Sequence, residues 1–187
     1  MTESDEELIV AYLHGTEEAL ASLVARHLPA VYSFALRFVG DQSDAEDIAQ
    51  ETFYKGWKNL HRYHQESSSF KTWLMHIARN TAIDHLRKRK QIPFSDFEND
   101  EGETPFANLA DDAPLPEELA RGKDDVREIE KALQTLSSQY REILLLYAGN
   151  TFTFQEIGVL IGASTNTVKS RYRRALALLR KALTHQR

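Results

Sequence analysis

Residues 162–181 read GASTNTVKSRYRRALALLRK, and their spacing predicts a long amphipathic helix. On a wheel of about 100° per residue, the apolar side chains form one stripe: Val168, Tyr172, Ala175, Leu176, Leu179 and Leu183. The opposite side and the flanks carry polar groups and cations: Asn166, Thr167, Lys169, Ser170, Arg171, Arg173, Arg174 and Lys181. Such a face can reach base edges in a major groove while its cations hold phosphates. A solvated surface helix is the alternative that this stretch alone leaves open.

The residues before this helix favour nucleic-acid binding. Thr153 and Glu156 have the spacing of a capping box and predict the start of a shorter helix. Gly162 ends that helix as a left-handed cap, and Ser164 is suited to cap the long helix that follows. A short helix, a turn with glycine and a long cationic helix together predict a helix-turn-helix.

The charge of the chain is unevenly distributed. The 187 residues have a net charge of −5, which is unusual for a DNA-binding protein. Residues 91–125 hold eleven acidic and two basic residues, whereas residues 126–187 hold four acidic and ten basic ones. The C-terminal part is therefore the one expected to meet polyanions.

Composition argues against several classes of protein. The chain has no cysteine, which excludes disulfides and thiolate metal sites. No run approaches about 18 apolar residues and the N-terminus is acidic, so we expect a soluble cytoplasmic protein with no membrane insertion. No glycine-rich nucleotide loop, HExxH motif or paired-carboxylate arrangement is evident, so we expect no cofactor, no metal and no enzymatic activity.

The N-terminal part reads as a series of helices. Ser4 and Glu7 form another capping box, and Gly15 ends the first helix. We expect a second helix from Thr16 and a third with Pro29 in its first turn. A third capping box, Ser43 with Glu46, predicts a fourth helix over 44–60.

That fourth helix has a mixed outer face. Its inner side is apolar, and its outer side carries Asp47, Gln50, Glu51, Tyr54 and Lys58. An outward tyrosine among acids and amides is typical of a protein-docking helix, because aromatic groups anchor interfaces. A polar solvent face is the alternative.

A polar loop and a cationic helix follow. Residues 61–69, HRYHQESSS, lack periodicity, and their candidate contact residues are His61, Tyr63 and His64. The helix over 70–90 has an inner stripe, in which we expect Trp73, and a second face with His76, Arg79, Asn80, Ile83, Asp84 and Arg87. Aromatic and cationic groups around a loop can stack and clamp unpaired bases, although either feature alone could be ordinary surface or core.

Residues 91–125 predict a linker between two domains. This stretch contains four of the five prolines and no helical period, which is typical of an extended or disordered segment. It is either a solubilising tether or an occupant of a basic channel that normally takes nucleic acid. Two further helices follow, from residue 126 and from Ser137 or Ser138, and Gly149 with Asn150 forms the turn into the helix-turn-helix.

The chain resembles an extracytoplasmic-function (ECF) sigma factor, the smallest group of the sigma-70 family. Four motifs carry the resemblance, in this order: DAEDIAQETFYKGW, FKTWLMHIARNTAIDHLRKRK, LSSQYREILLLY and TFQEIGVLIGASTNTVKSRYRRA. The resemblance implies an all-α fold with two small helical domains. Residues 1–90 would be sigma region two, residues 91–125 an acidic flexible linker, and residues 126–187 sigma region four with its helix-turn-helix.

The resemblance also implies partners and contacts. The helix with Asp47, Gln50, Glu51 and Tyr54 matches the one that docks on the beta-prime clamp helices of core RNA polymerase. The minus-ten element of promoter DNA would meet His61, Tyr63, His64, His76, Arg79, Asn80, Ile83 and Arg87. Region four sits on the beta-flap and would read the minus-thirty-five element through Thr167, Lys169, Ser170, Arg171, Arg173 and Arg174. The linker matches region three, and an anti-sigma factor is implied, although no residue identifies it.

Two departures and one alternative remain. Asn166 stands where the family often has glycine, and HQESSS replaces a commoner arginine-glycine-aspartate pattern in the loop. Asp84 resembles a position that braces its own helix. The alternative function is an autonomous operator-binding regulator with a helix-turn-helix, which would bind a specific duplex without polymerase.

Overall fold

A computed structural model of the chain describes residues 3–89, 123–148 and 152–185. These residues form an all-α fold of eight α-helices and one 3-10 turn, Leu60–Arg62, with no strand among them. The helices are α1 (Asp5–Leu13), α2 (Glu17–Val39), α3 (Gln42–Lys58), α4 (Phe70–Lys88), α5 (Lys123–Thr135), α6 (Ser138–Tyr147), α7 (Phe154–Ile161) and α8 (Thr165–His185). The predicted all-α class is confirmed.

The helices belong to two compact units. The first contains α1, α3, most of α2 and most of α4, and the second contains α5 to α8. Residues 91–122 of the predicted linker lie outside the described residues, as do Gly149 and Asn150 of the predicted turn. Helix α5 begins at Lys123, so the last three residues of the predicted linker are helical.

Helix α1 begins with the predicted capping box. The Glu7 backbone N–H donates to Ser4 Oγ at 3.1 Å, and the Ser4 N–H donates to Glu7 Oε2 at 2.7 Å. These two bonds satisfy amide groups that a helix start leaves without partners. Gly15 follows the helix with a φ of 99°, which glycine adopts more readily than other residues.

Helix α2 is continuous, so the prediction of two helices separated before Pro29 is wrong. Buried residues recur every four positions through the whole helix: Ala19, Leu23, His27, Val31 and Ala35. A proline inside a helix costs about 3 kcal/mol because it removes one hydrogen bond and crowds the preceding turn. Burial of one uninterrupted stripe outweighs that cost here, since each large apolar side chain contributes about 1.5 to 3 kcal/mol.

Among the described residues, α2 alone is long and apolar enough to cross a membrane by length and composition. Its side chains instead make polar contacts with α1. His27 is buried, with Nε2 2.8 Å from Asp5 Oδ2, and Arg26 Nη1 donates to Asp5 Oδ1 at 2.6 Å. The buried stripe of α2 therefore contributes to the core of the first unit.

Helix α3 begins two residues earlier than predicted. Its N-cap is Asp41, whose Oδ1 accepts the Asp44 backbone N–H at 3.0 Å, so the prediction of a Ser43–Glu46 capping box is wrong. An aspartate three residues before a free amide performs the same task as serine. Asp41 directly follows Gly40, whose φ of 79° turns the chain out of α2.

The second unit is built around α8. The predicted stripe of α8 is buried at Val168, Tyr172, Ala175, Leu176 and Leu179, while Leu183 is half-buried. The Tyr172 ring centroid lies 4.7 Å from that of Tyr147 on α6 and 5.2 Å from that of Phe154 on α7. Tyr147 and Phe154 are themselves stacked at 4.2 Å. Three rings thus join three helices in one cluster.

A buried arginine holds the end of α5. Arg141, on α6, is 9% exposed and donates to the backbone carbonyls of Leu133, Gln134 and Leu136 at 2.9 to 3.0 Å. A cation at a helix C-terminus satisfies carbonyl groups that have no partner within the helix. Burial lowers the pKa of Arg141 to about 10, so the group is still charged at neutral pH.

We expect Arg141→Ala to lower the free energy of unfolding of the second unit by about 3 kcal/mol, because several buried carbonyls lose their donor. Urea denaturation of the full chain, followed by far-UV circular dichroism, measures the change. Lys131→Ala, at an exposed position of α5, is the matched control. A loss for Arg141→Ala no larger than that control would contradict the capping role.

Candidate nucleic-acid and polymerase interfaces

The outer face of α3 lies as the sequence predicts. Asp47 and Gln50 are exposed, and Tyr54 is 65% exposed despite its large aromatic ring. Glu51 is half-buried and its Oε1 lies 2.9 Å from Lys55 Nζ. The inner face buries Ile48, Ala49 and Thr52. An exposed tyrosine between acidic and amide groups is a combination found at protein interfaces.

Polar contacts hold α3 against α4. Lys55 Nζ donates to Thr81 Oγ1 at 3.2 Å, and Asp44 Oδ1 lies 3.1 Å from His85 Nε2. Asp44 is buried, so it belongs to the scaffold and not to the outer face of α3. Helix α3 is thus joined to α4 by one hydrogen bond, from Lys55, and by one short ion-pair contact, from Asp44.

The loop between α3 and α4 exposes three basic or imidazole groups. His61, Arg62 and His64 are exposed around the 3-10 turn, and Ser69 Oγ caps α4 by accepting the Thr72 N–H at 3.2 Å. Arg62 is a candidate contact that the sequence reasoning missed. A lone arginine inside an aperiodic loop was the signal that could have identified it.

Tyr63 differs from its neighbours in the loop. Its ring packs against Phe70 and Trp73, with centroid distances of 5.5 and 5.6 Å, and its hydroxyl donates to Glu6 Oε1 at 3.3 Å. Burial, followed by the charge of Glu6, raises the pKa of Tyr63 to about 12. The expectation that Tyr63 is as open as His61 and His64 is wrong. Trp73, expected in the core, is half-buried.

The second face of α4 is narrower than predicted. His76, Asn80 and Arg87 are exposed and Arg79 is half-buried, but Ile83 is 5% exposed, so its prediction as an outward contact is wrong. The buried side of α4 is wider than one stripe: it takes in Phe70, Thr72, Leu74, Met75, Ala78, Thr81, Ala82, Ile83 and Leu86. Burial of an isoleucine side chain is favourable, and the position of Ile83 on the helical wheel is compatible with its facing inward.

Short contacts organise the remaining face. Arg79 Nη1 donates to Asn80 Oδ1 at 3.2 Å, and Asn80 Nδ2 lies 3.5 Å from His76 Nε2. Although the His76 residue as a whole is exposed, partial desolvation of its imidazole, followed by the charge of Arg79, lowers the pKa of His76 below its ordinary value. His76 is therefore neutral at pH 7 and offers one nitrogen as donor and the other as acceptor.

The helix-turn-helix has the predicted caps. Thr153 Oγ1 accepts the Glu156 N–H at 3.2 Å, and Glu156 Oε2 accepts the Thr153 N–H at 2.7 Å. Gly162 ends α7 with a φ of 69°, and Ser164 Oγ accepts the Thr167 N–H at 3.1 Å at the start of α8. The turn passes close to α7, because a Cβ on Gly158 would lie 2.7 Å from the Ala163 carbonyl oxygen.

The predicted contact residues of α8 differ in exposure. Lys169 and Ser170 are exposed, whereas Thr167, Arg171, Arg173 and Arg174 are half-buried. The Thr167 hydroxyl lies 2.8 Å from Ser164 Oγ, and Arg171 Nε is buried with no hydrogen-bond partner among the described residues. Asn166 is exposed beside Ser170 and was left out of the predicted contacts, although the wheel put both on one face. The exposed face of α8 is thus centred on its first two turns.

Two family models match the chain. The Sigma-70 region 2 model matches residues 23–92, and the Sigma-70, region 4 model matches residues 126–179. The ECF RNA polymerase sigma factor SigW of Bacillus subtilis is 32% identical over 171 residues, which cover 90% of this chain and 91% of that protein. RNA polymerase sigma factor SigV of the same organism is 32% identical over 174 residues, covering 91% and 95%.

Solved structures agree with these matches. The sigma factor RpoE from Bartonella quintana, in complex with the anti-sigma factor NepR, is 28% identical with a TM-score of 0.65, covering 89% of this chain and 98% of that one. CnrH, solved with the cytosolic domain of CnrY, is 23% identical with a TM-score of 0.71, covering 99% and 100%, and supports the fold. Sigma factors are non-catalytic transcription initiation factors. The chain belongs to the sigma-70 family as an ECF sigma factor, the promoter-specificity subunit of RNA polymerase.

Proposed function

We propose that this sigma factor divides its work between two domains, residues 1–90 and residues 126–187, joined by the acidic segment 91–125. The first domain docks on core polymerase and opens the minus-ten element, and the second reads the minus-thirty-five element. The observation that carries the proposal is the 65% exposure of Tyr54 on the outer face of α3, where its neighbours are two acids, an amide and Lys58. An exposed ring at the centre of a polar face is a common anchor for a protein partner.

The docking partner of α3 is the beta-prime clamp-helix region of the polymerase. Asp47 and Glu51 supply negative charge, Gln50 supplies an amide, and Tyr54 supplies apolar area. Such a face suits a partner that presents cations around an apolar pocket. Lys55, bonded to Thr81, and Asp44, paired with His85, support the assignment, because they keep α3 seated while its outer face is occupied.

The loop and α4 form the minus-ten contact. His61, His64 and Arg62 on the loop, with His76, Asn80, Arg79 and Arg87 on α4, present imidazoles, amides and cations to one strand of DNA. Imidazole rings stack on unpaired bases, and arginines hold the backbone. Ile83 is not part of this contact because it is buried.

The second domain contacts duplex DNA through α8. Exposed Lys169, Ser170 and Asn166 lie at the start of the helix, where recognition helices meet base edges. Thr167, Arg171, Arg173 and Arg174 complete the predicted contact, and the beta-flap is the polymerase surface on which this domain sits.

We also propose that an anti-sigma factor restrains this chain, as the anti-sigma factor NepR is in complex with its relative RpoE. The proposed place of action is the cytoplasm, where core polymerase works, and we assign the chain no catalytic role. Segment 91–125 takes the place of the region-three linker, and its negative charge suits a basic channel.

Reversing Asp47 and Glu51 to lysine should weaken association with core polymerase more than about tenfold, because like charges then face each other across the interface. Copurification with core polymerase measures the effect, and far-UV circular dichroism checks the fold. Glu46→Lys, on the same helix but off the outer face, is the control for adding positive charge. Retained copurification of the double variant would remove α3 as the docking site.

Arg174→Ala should weaken promoter binding by the holoenzyme by about 1 to 3 kcal/mol if Arg174 makes a bidentate base contact. Promoter-dependent run-off transcription should fall accordingly. Association with core polymerase should be unchanged, since α8 faces DNA in this proposal. Lys131→Ala, an exposed cation on α5, is the matched control. Loss of polymerase association instead of promoter use would mean that α8 docks on protein.

His76 should titrate below its ordinary pKa of 6.5 when followed by NMR of the folded chain. His76 in the unfolded chain then binds its proton at a higher pH than His76 in the folded chain. The free energy of unfolding is therefore undiminished by His76 above about pH 6.5, and it falls as the pH drops towards the folded pKa. Arg79→Ala should raise the pKa of His76 only part of the way, because burial is the larger cause. Arg87→Ala, about three turns further along α4, should leave it unchanged, and an equal effect of both variants would contradict this assignment.

A further inference from the structure

Tyr63 connects the promoter-opening loop to the N-terminal helix. It caps the 3-10 turn, its N–H donating to the Leu60 carbonyl at 3.0 Å, and its hydroxyl reaches Glu6 Oε1 on α1 at 3.3 Å. His61 and His64, two of the exposed residues of the loop, are two positions before it and one after it. The side chain of Tyr63 thus holds the middle of the segment whose two ends face outward.

Glu6 lies on a helix that is itself firmly held. Asp5, its neighbour, pairs with Arg26 and His27 of α2, and Arg26 Nη2 also donates to the Glu3 carbonyl at 2.7 Å. The His27 ring lies 5.4 Å from Phe70, whose ring packs on Tyr63 at 5.5 Å. The contacts therefore connect α1 to α2, α2 to α4, α4 to the loop, and the loop back to α1.

The packing of Tyr63 argues against a direct contact between Tyr63 and DNA. Two aromatic rings already cover the Tyr63 ring, at 5.5 and 5.6 Å, and its hydroxyl donates to a half-buried carboxylate. A tyrosine that bound a base would have to give up the bond to Glu6. At 3.3 Å this bond is longer than most O–H···O bonds, and a hydrogen bond of ordinary strength contributes only modestly to stability, so giving it up and uncovering the ring together oppose a base contact.

We propose that Glu6 is a positioning residue for promoter opening, which acts through Tyr63 to hold the loop His61–Ser69 ready to capture an unstacked base. Neither Glu6 nor the Tyr63 hydroxyl contacts DNA in this arrangement. The inference rests on the proposed function of the loop. It gives α1, which has no assigned contact with DNA or polymerase, a part in promoter opening.

The test uses holoenzyme made from core RNA polymerase and the full chain. The probe is a duplex promoter that the wild-type holoenzyme transcribes, with 2-aminopurine in the non-template strand of its minus-ten element. Stopped-flow fluorescence then reports the rate at which that base unstacks. All variants are compared at a temperature at which circular dichroism shows each of them folded and at saturating core polymerase.

We expect Tyr63→Phe and Glu6→Ala each to slow unstacking by about five- to tenfold, the effect of about 1 to 1.4 kcal/mol on a barrier. The double variant should be no slower than either single one, since both remove the same bond. Glu6→Gln keeps an acceptor oxygen and should recover most of the rate. Tyr32→Phe and Glu17→Ala, a half-buried tyrosine and an exposed acid of α2, are the matched controls and should match wild type.

Three results would overturn the inference. Slow unstacking in Tyr63→Phe with a normal rate in Glu6→Ala would mean that the hydroxyl acts on DNA directly. Normal rates in both would mean that the bond has no part in opening. A loss that tracks lower melting temperature and weaker core association, and that Glu6→Gln does not recover, would mean a structural role only.

The loop itself is tested by His61→Ala combined with His64→Ala. If that variant slows unstacking while Glu6→Ala does not, the positioning role of Glu6 is wrong and the proposed function of the loop stands. If it leaves unstacking unchanged, the proposed minus-ten function of the loop fails, and the positioning role fails with it.

Discussion

The packing of Tyr172 against Tyr147 and Phe154 sets the rotation of α8 about its own axis. Because a helix turns by about 100° per residue, fixing one ring fixes the direction of every other side chain on that helix. With Tyr172 turned into the cluster, Asn166, Lys169 and Ser170 must face solvent. The direction of the face proposed to read DNA is thus set by three aromatic rings packed against one another.

In the first domain, polar contacts between helices help to orient the proposed contact faces. Its two working faces, on α3 and α4, are held together by Lys55 with Thr81 and by Asp44 with His85. Thr81 and Asp44 are buried while Lys55 and His85 are partly exposed, and a buried polar group is costly unless it has such a partner. In the proposed assignment, polymerase docking and promoter opening therefore lie on helices of the same compact unit.

Sequence reasoning succeeded where the determining contacts are short. The caps at Ser4, Thr153 and Ser164 involve residues three apart; Ser4 and Thr153 were predicted with their partners, and Ser164 was predicted as a cap. The Ser43 error is local, because Asp41, two residues earlier, caps the helix through the Asp44 amide. The errors at Pro29, Tyr63 and Ile83 share a different origin. Whether a helix continues through a proline, and whether an isoleucine or a tyrosine faces inward, depends on what another helix brings to that place, and local spacing contains no such information. The family resemblance correctly identified the protein class, because four motifs in order record the tertiary fold that periodicity alone cannot.

The close approach of the turn to α7 has a consequence for how the protein can change. The Gly158 position admits no side chain without displacing the Ala163 backbone, and the caps and the aromatic cluster occupy positions separate from Asn166, Lys169 and Ser170. Apart from Thr167, which also bonds to the Ser164 cap, the residues that maintain this geometry are thus separate from the proposed contact residues. Evolution or engineering can therefore change the exposed positions for a different promoter sequence while the framework stays constant. New specificity can then evolve in small steps, without each step having to be repaired elsewhere in the domain.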